Sequence, residues 1–159
     1  MGLVGDLWGN VSSYAFKGGP LLVLDGKGRL TVPARYREVL DAGERGRMVV
    51  TKTAERVRCL QLFPGSVWDR FEGQLVALPE SYNPLRRLLI GSAVELEIDS
   101  ASRINIPPEL REWAGLDREV HFMGLGNRFE LWDKAALNAH TEQTQAQDWS
   151  GLLGNLSIS

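Results

Sequence analysis

The sequence predicts an α+β chain, mainly β, built from two pseudo-symmetric copies of one unit. Three observations predict it. DGKGRLTVPARYRE, beginning at Asp25, recurs as DSASRINIPPELRE from Asp99, an offset of 74 residues with no gap. Before the second copy, Ala93–Ile98 (AVELEI) alternates apolar and polar residues with the period of a half-buried strand. After each copy the apolar spacing changes to that of a short helix. Two copies are too few for a solenoid, which needs at least three to stack. A duplication with approximate two-fold symmetry within one chain is the better account.

The elements follow in order. PLLVL, Pro20–Leu24, is the first strand. Asp25-Gly26-Lys27-Gly28 has turn chemistry, because aspartate accepts from nearby backbone N–H groups and glycine permits positive φ. In the second copy Ser100 and Ser102 replace the glycines, which predicts a different or strained loop. Short strands follow at Arg29–Val32 and Arg103–Ile106. Pro33 and Pro107 then suit the first turn of a helix. Tyr36, Val39 and Leu40 form one helical stripe, and Leu110, Trp113 and Ala114 repeat it. Gly43 and Gly115 stand where each helix should stop. Strands around Met48–Thr51, Arg58–Phe63, Glu119–Leu125 and Arg128–Trp132 complete the units.

Between the copies, Val67, Trp68, Phe71, Leu75 and Leu78 mark an amphipathic helix, and a second begins near Pro84. The chain thus divides into a flexible extension (1–15), a first unit (19–66), a helical connector (67–91), a second unit (93–136), and a C-terminal helix and tail (137–159). Leu62, Phe63 and Trp132 are candidates for subunit contacts, although a place in the core is the preferred reading.

Composition sets bounds on function. The 159 residues are 43% hydrophobic and carry a net charge of −2, which suits a chain able to bury a real core. Cys59 is the only cysteine, so no disulfide can close within the chain, and with two histidines it is too little for a structural zinc site. The longest strongly apolar run, Leu21–Leu24, is far shorter than the ~20 residues of a spanning helix. The first fifteen residues lack the basic start and apolar run of a signal peptide, so a cytoplasmic protein is expected.

Charge is uneven along this near-neutral chain. Lys17 to Arg58 holds ten basic and five acidic residues, whereas Asp99 to Asp133 holds four and seven. Lys27, Arg29, Arg35 and Arg37 are expected to crowd one end of the first unit, against only Arg103 and Arg111 in the second. A local basic field inside an acidic chain is compatible with nucleic acid. Asp25 and Arg29, like Asp99 and Arg103, are four apart across a turn. Each pair can close its turn, and a guanidinium fixed in this way still offers donors to phosphate or guanine.

These residues carry a resemblance. The paired DxxxR motifs Asp25…Arg29 and Asp99…Arg103, with Phe16-Lys17-Gly18, LDGKGRLTVPARYRE, NPLRRLLIGSAVELEID and GLDREVHFMGLGNRFELWD, resemble the MraZ family of bacterial transcriptional regulators, which have tandem SpoVT–AbrB domains. The resemblance covers roughly Phe16 to Trp132. The sequence departs from the family at its long N-terminal extension and at Ser102, where glycine is usual. The resemblance implies AbrB-like, swapped-hairpin units forming one barrel. It also implies ring-shaped homo-oligomers that bind repeated promoter boxes of the division and cell-wall gene cluster, and hence a nucleoid-associated protein. The DNA-binding candidates are Lys27, Arg29, Arg35, Arg37 and Arg103. No cofactor, metal, membrane or small-molecule substrate is expected.

Two rival readings compete with this one. A carboxylate dyad of Asp25 and Asp99 would need both acids to share a site without neutralising cations, yet each has its own arginine. Cys59, His121 and His140 lie on separate elements without a nucleophile motif, so no catalytic residue is assigned. The stronger rival is an AbrB-like antitoxin or protein-binding scaffold module.

Overall fold

A computed structural model describes residues 14–157. Its eight strands are β1 (Leu21–Val23), β2 (Arg29–Thr31), β3 (Arg47–Lys52), β4 (Leu60–Pro64), β5 (Val94–Glu97), β6 (Arg103–Asn105), β7 (Glu119–Gly124) and β8 (Phe129–Asp133). Six α-helices accompany them: α1 (Ala34–Glu44), α2 (Gly65–Val76), α3 (Asn83–Leu89), α4 (Pro108–Trp113), α5 (Lys134–Gln145) and α6 (Ser150–Leu153). Mixed helix and strand from a tandem repeat is what the sequence predicts.

The strand order reads the same from both ends. Six strands form one antiparallel sheet, β1-β7-β8-β4-β3-β5, and β2 and β6 form a separate two-stranded ribbon. The pseudo-two-fold axis therefore runs between β8 and β4, which pair at Leu60–Leu131 and Leu62–Phe129. The halves are interleaved. The first strand of each unit pairs with the other half, β1 on β7 with Leu21 opposite His121, and β5 on β3 with Met48 opposite Leu96. This is the strand exchange expected of swapped hairpins. The sheet is open, with β1 and β5 at its edges; the single closed barrel implied by the resemblance is not found among the described residues.

Alternation in the strands sorts their side chains into two layers. Met48, Val50, Leu60, Leu62, Val120, Phe122, Phe129 and Leu131 face the main core, which the ribbon closes with Leu30 and Ile104. Phe16, Tyr36, Phe122 and Phe129 pack there as an aromatic group with ring centroids 4.2 to 5.8 Å apart. Val49, Phe63, Val67 and Trp68 form a smaller cluster beneath α2. Leu62, Phe63 and Trp132 are all buried in the protomer; the core reading holds for Leu62 and Phe63, which lie within the two clusters, while Trp132 lines a cleft between α4 and α5.

Two local expectations need correction. α1 runs through Gly43 to Glu44 and stops at Arg45 and Gly46, both left-handed at φ 55° and 75°. The Gly46 N–H then returns to the Leu40 carbonyl, so the helix ends where its backbone finds partners rather than at the first glycine. The second concerns the N-terminal extension. Residues 1–13 of the segment expected to be flexible lie outside the described residues, but Tyr14 at its end is packed. Its ring stacks on Phe16 and its hydroxyl donates to Glu44.

Candidate nucleic-acid interface

Each Asp–Arg motif builds one tight turn from its own atoms. Asp25 Oδ1 accepts from the backbone N–H of Lys27 at 2.9 Å and of Arg29 at 2.8 Å, while Oδ2 accepts from Arg29 Nε at 2.7 Å. The Gly28 N–H returns to the Asp25 carbonyl at 3.0 Å. The second turn repeats this bond for bond. Asp99 Oδ1 takes the N–H of Ala101 at 2.9 Å and of Arg103 at 2.8 Å, and Oδ2 takes Arg103 Nε at 3.2 Å. Of the two outcomes expected from the serines, a different loop or a strained one, the structure shows the strained one. Ser102 adopts the left-handed conformation of Gly28, at φ 66° against 83°, at a steric cost of about 1–2 kcal/mol.

These bonds hold both aspartates ionised. The Arg29 N–H is the main cause that lowers the Asp25 carboxyl to about 2, with the Arg29 side chain next. Asp99 is lowered for the corresponding reason, the Arg103 N–H. Each carboxylate serves its own turn, so no shared acid–base dyad forms. Cys59 is buried and its thiol is pushed up by that burial; His121 is set against the Gly19 carbonyl and His140 against Trp132, so the three make no catalytic group.

The ribbon brings the turns together. Leu30 lies opposite Ile104, Arg29 opposite Asn105 and Thr31 opposite Arg103. Side chains alternate across a strand, so Leu30 and Ile104 point into the core while Arg29, Thr31, Arg103 and Asn105 share the outer face. The turns precede β2 and β6, which run in opposite directions, so one sits at each end of the ribbon. Val32 donates to the Ser102 carbonyl at 2.7 Å, and Ile106 to the Gly28 carbonyl at 2.8 Å, an equivalent bond on each side of the axis.

Strand exchange also redistributes the basic residues. Arg37 of the first unit reaches the second turn, where it donates to Ser102 Oγ and pairs with Asp41 at 3.1 Å. Arg111 of the second unit reaches the first turn, donating through Nε to the Ile106 carbonyl at 3.0 Å, beside Gly28. Arg35 joins neither turn. It lies over the Tyr36 ring, 4.6 Å from its centroid, and donates to the Tyr36 hydroxyl. The expected crowding of Lys27, Arg29, Arg35 and Arg37 at one end is therefore corrected: Lys27, Arg29 and Arg111 gather at one turn, Arg103 and Arg37 at the other. Arg111, Thr31 and Asn105 were missed as candidates, although the 74-residue match of Arg37 to Arg111 and the strand alternation were both visible in the sequence.

Among the described residues no group of three or more His, Cys, Asp or Glu side chains could hold a metal ion, and no helix is long and apolar enough to cross a membrane. The family model described as "MraZ protein, putative antitoxin-like" matches the chain twice, at residues 15–90 and 89–150. A protein of Burkholderia cenocepacia named Transcriptional regulator MraZ is 44% identical over 143 residues, 90% of this chain and 99% of its own. One of the same name from Burkholderia lata matches to the same extent. Another, from Methylibium petroleiphilum, is 41% identical over 93% of this chain and its own full length.

Proposed function

The chain belongs to the MraZ family, and from that premise we propose that it is a sequence-specific DNA-binding transcriptional regulator, cytoplasmic and nucleoid-associated, acting on repeated promoter boxes of the division and cell-wall gene cluster as a ring-shaped homo-oligomer. The observation that carries the reading is the ribbon: two fixed arginines, Arg29 and Arg103, on one outward polar face with a closed turn at each end. A two-stranded ribbon fits the major groove of B-DNA. There Arg29 and Arg103 are available for guanine, Asn105 for adenine, and Lys27 for the phosphates that flank them. Arg37 and Arg111 support the turns from behind, while Arg35 is a peripheral phosphate contact. The working boundaries of the two units are 19–66 and 93–136, joined by the connector 67–91.

One ribbon neutralises few phosphates, so its own affinity is modest. Several ribbons on one assembly make each later contact at high effective concentration, which reconciles an acidic protomer with tight binding to repeated boxes. Such a role needs no catalytic residue.

Footprinting and fluorescence anisotropy on the DNA upstream of the protein's own gene test the reading. Protection of repeated boxes, with affinity falling steeply as salt rises, is the expected result. Equal affinity for that DNA and for scrambled duplex would overturn it. The antitoxin-like description of the family favours a second reading, an AbrB-like antitoxin or scaffold. A stoichiometric foreign protein purifying with the chain, together with no preference for upstream DNA, would establish that reading instead.

A further inference from the structure

The two halves differ where α-helices meet beside the sheet. In the first half Tyr14 fills that groove. Its hydroxyl donates to Glu44 at the end of α1, and Glu44 in turn accepts from the Ser66 N–H at 2.8 Å at the start of α2. The ring packs against both the main core and the Phe63–Val67–Trp68 cluster, and the hydroxyl lies where a side chain on Gly43 would project. In the second half Trp132 and Ala136 stand at the positions of Phe63 and Val67. There the groove is an open cleft of about 570 Å³ between α4 and α5, against about 290 Å³ beside α2. Trp113, Trp132 and His140 supply its aromatic lining, and the exposed Arg56 and Arg58 supply its rim. His140 Nδ1 is buried there without a hydrogen-bond partner.

The same chain carries an apolar segment with no cover. Trp149, Leu152, Leu153 and Leu156, on and around α6, are 43 to 58% exposed. Asp148 stands next to Trp149 and adds a negative charge suited to the arginine rim. The Trp149 indole N–H donates to the Thr144 carbonyl at 2.9 Å, which ties the segment to the end of α5, and no residue beyond Gln143 lines the chain's own cleft.

We propose that the Trp149–Leu156 segment of one protomer docks into the Trp113–Trp132 cleft of a second copy, with Asp148 against Arg56 and Arg58. Tail and cleft are different surfaces, so the contact is head-to-tail, and repetition closes a ring when its rotation permits. The inference rests on the oligomeric reading above and names the interface which that reading requires. Tyr14 shows the chemistry the groove accepts: an aromatic side chain with a polar edge.

Sedimentation of the full chain tests it. Leu152→Ser with Leu153→Ser, and separately Ala139→Arg on the cleft wall, should each reduce the assembly to the 17.7 kDa protomer with an unchanged melting temperature. Ala139→Arg introduces the residue that the first half carries at the matching position, Arg70, so a helix of this kind tolerates it. Mixing the two variants should restore one intact tail–cleft contact and yield a species of twice the protomer mass, and no larger one. A wild-type chain that sediments as a protomer, variants that assemble as wild type, or a mixture without pairs would each overturn the proposal. A lowered melting temperature without a change of mass would do so too, because it would mean that the tail packs on its own protomer. Binding of both variants to a duplex carrying one promoter box is measured in parallel. Retained binding with unaltered assembly removes only this interface, whereas assembly through the tail without any DNA binding removes only the DNA reading.

Discussion

At the first turn the left-handed position is Gly28 and the arginine arriving from the other half is Arg111; at the second they are Ser102 and Arg37. The backbones agree bond for bond, yet the surroundings do not. Ser102 offers a hydroxyl that engages Arg37, and Asp41 neutralises the same guanidinium. Arg111 has only the Ile106 carbonyl, and among the described residues no carboxylate pairs with it. The comparison teaches that one conserved geometry can carry two electrostatic characters. The first turn presents uncompensated positive charge, and the second presents much of its charge already satisfied within the protein.

The strongest way to break this comparison is to remove what the turns share. Leu30→Ala and Ile104→Ala each leave a cavity at a fully buried, mutually paired position, and each should cost about 2–5 kcal/mol in urea unfolding. Because the ribbon joins the halves, either variant should loosen both turns, seen as faster amide exchange at Lys27 and Ala101 alike. Exchange confined to one turn would show that the turns are independent.

Next in size is the separation of the two arginines. Arg29→Ala should lose about 1–3 kcal/mol of specific DNA binding per engaged subunit, compounded over the assembly, while Arg103→Ala loses clearly less. Anisotropy titrations at one salt concentration, with circular dichroism to verify folding, measure both. Equal losses would mean that the charge difference behind the turns has no bearing on readout, and a larger loss at Arg103 would reverse the assignment.

Exchanging the left-handed residues sharpens the comparison further. Gly28→Ser should destabilise by about 1–2 kcal/mol through the left-handed backbone alone. Its Cβ would also meet Arg111 Nε and the Ile106 carbonyl oxygen at 2.7 Å. Ser102→Gly relieves strain but loses the Arg37 bond and adds chain entropy to the unfolded state, so its thermal stability should change by less than about 1 kcal/mol. The smallest effect is in acid. Asp25 has a folded value of about 2 against an ordinary 3.8, so its contribution to stability is complete above that ordinary value and fades as pH falls through 2. Carboxyl titration by NMR should find Asp99, like Asp25, below its ordinary 3.8.

Much of this was legible in the sequence because the repeat is local. A gapless 74-residue match displays the turns, the short strands and the helix behind each one, and alternation identifies Leu30 and Ile104 as inward positions. The partners of those elements were less accessible. Nothing in residues 25–38 says that Arg37 will reach a turn 65 residues away, because linear proximity grouped it with Lys27 and Arg29. At Ser102 the sequence foretells strain but leaves open whether the loop keeps its path. Local propensity disfavours serine at positive φ, but three hydrogen bonds accepted by the Asp99 carboxylate and pairing through the ribbon hold the backbone there. Tyr14 could not be placed from a segment without periodicity, since its role depends on a groove formed by two distant helices.

The interleaved sheet has a consequence for synthesis on the ribosome. While only the first half has emerged, β1 has no neighbour, since its partner β7 lies about a hundred residues further on, with Leu21 opposite His121. β3 can pair with β4 at once, but the ribbon waits for β6 and β3 waits for β5 on its other side. Contacts this distant in sequence are entropically late. A nascent chain therefore holds two unsatisfied strands, β1 and β2, through most of translation, and on crowded polysomes each could take its partner from a neighbouring chain rather than its own.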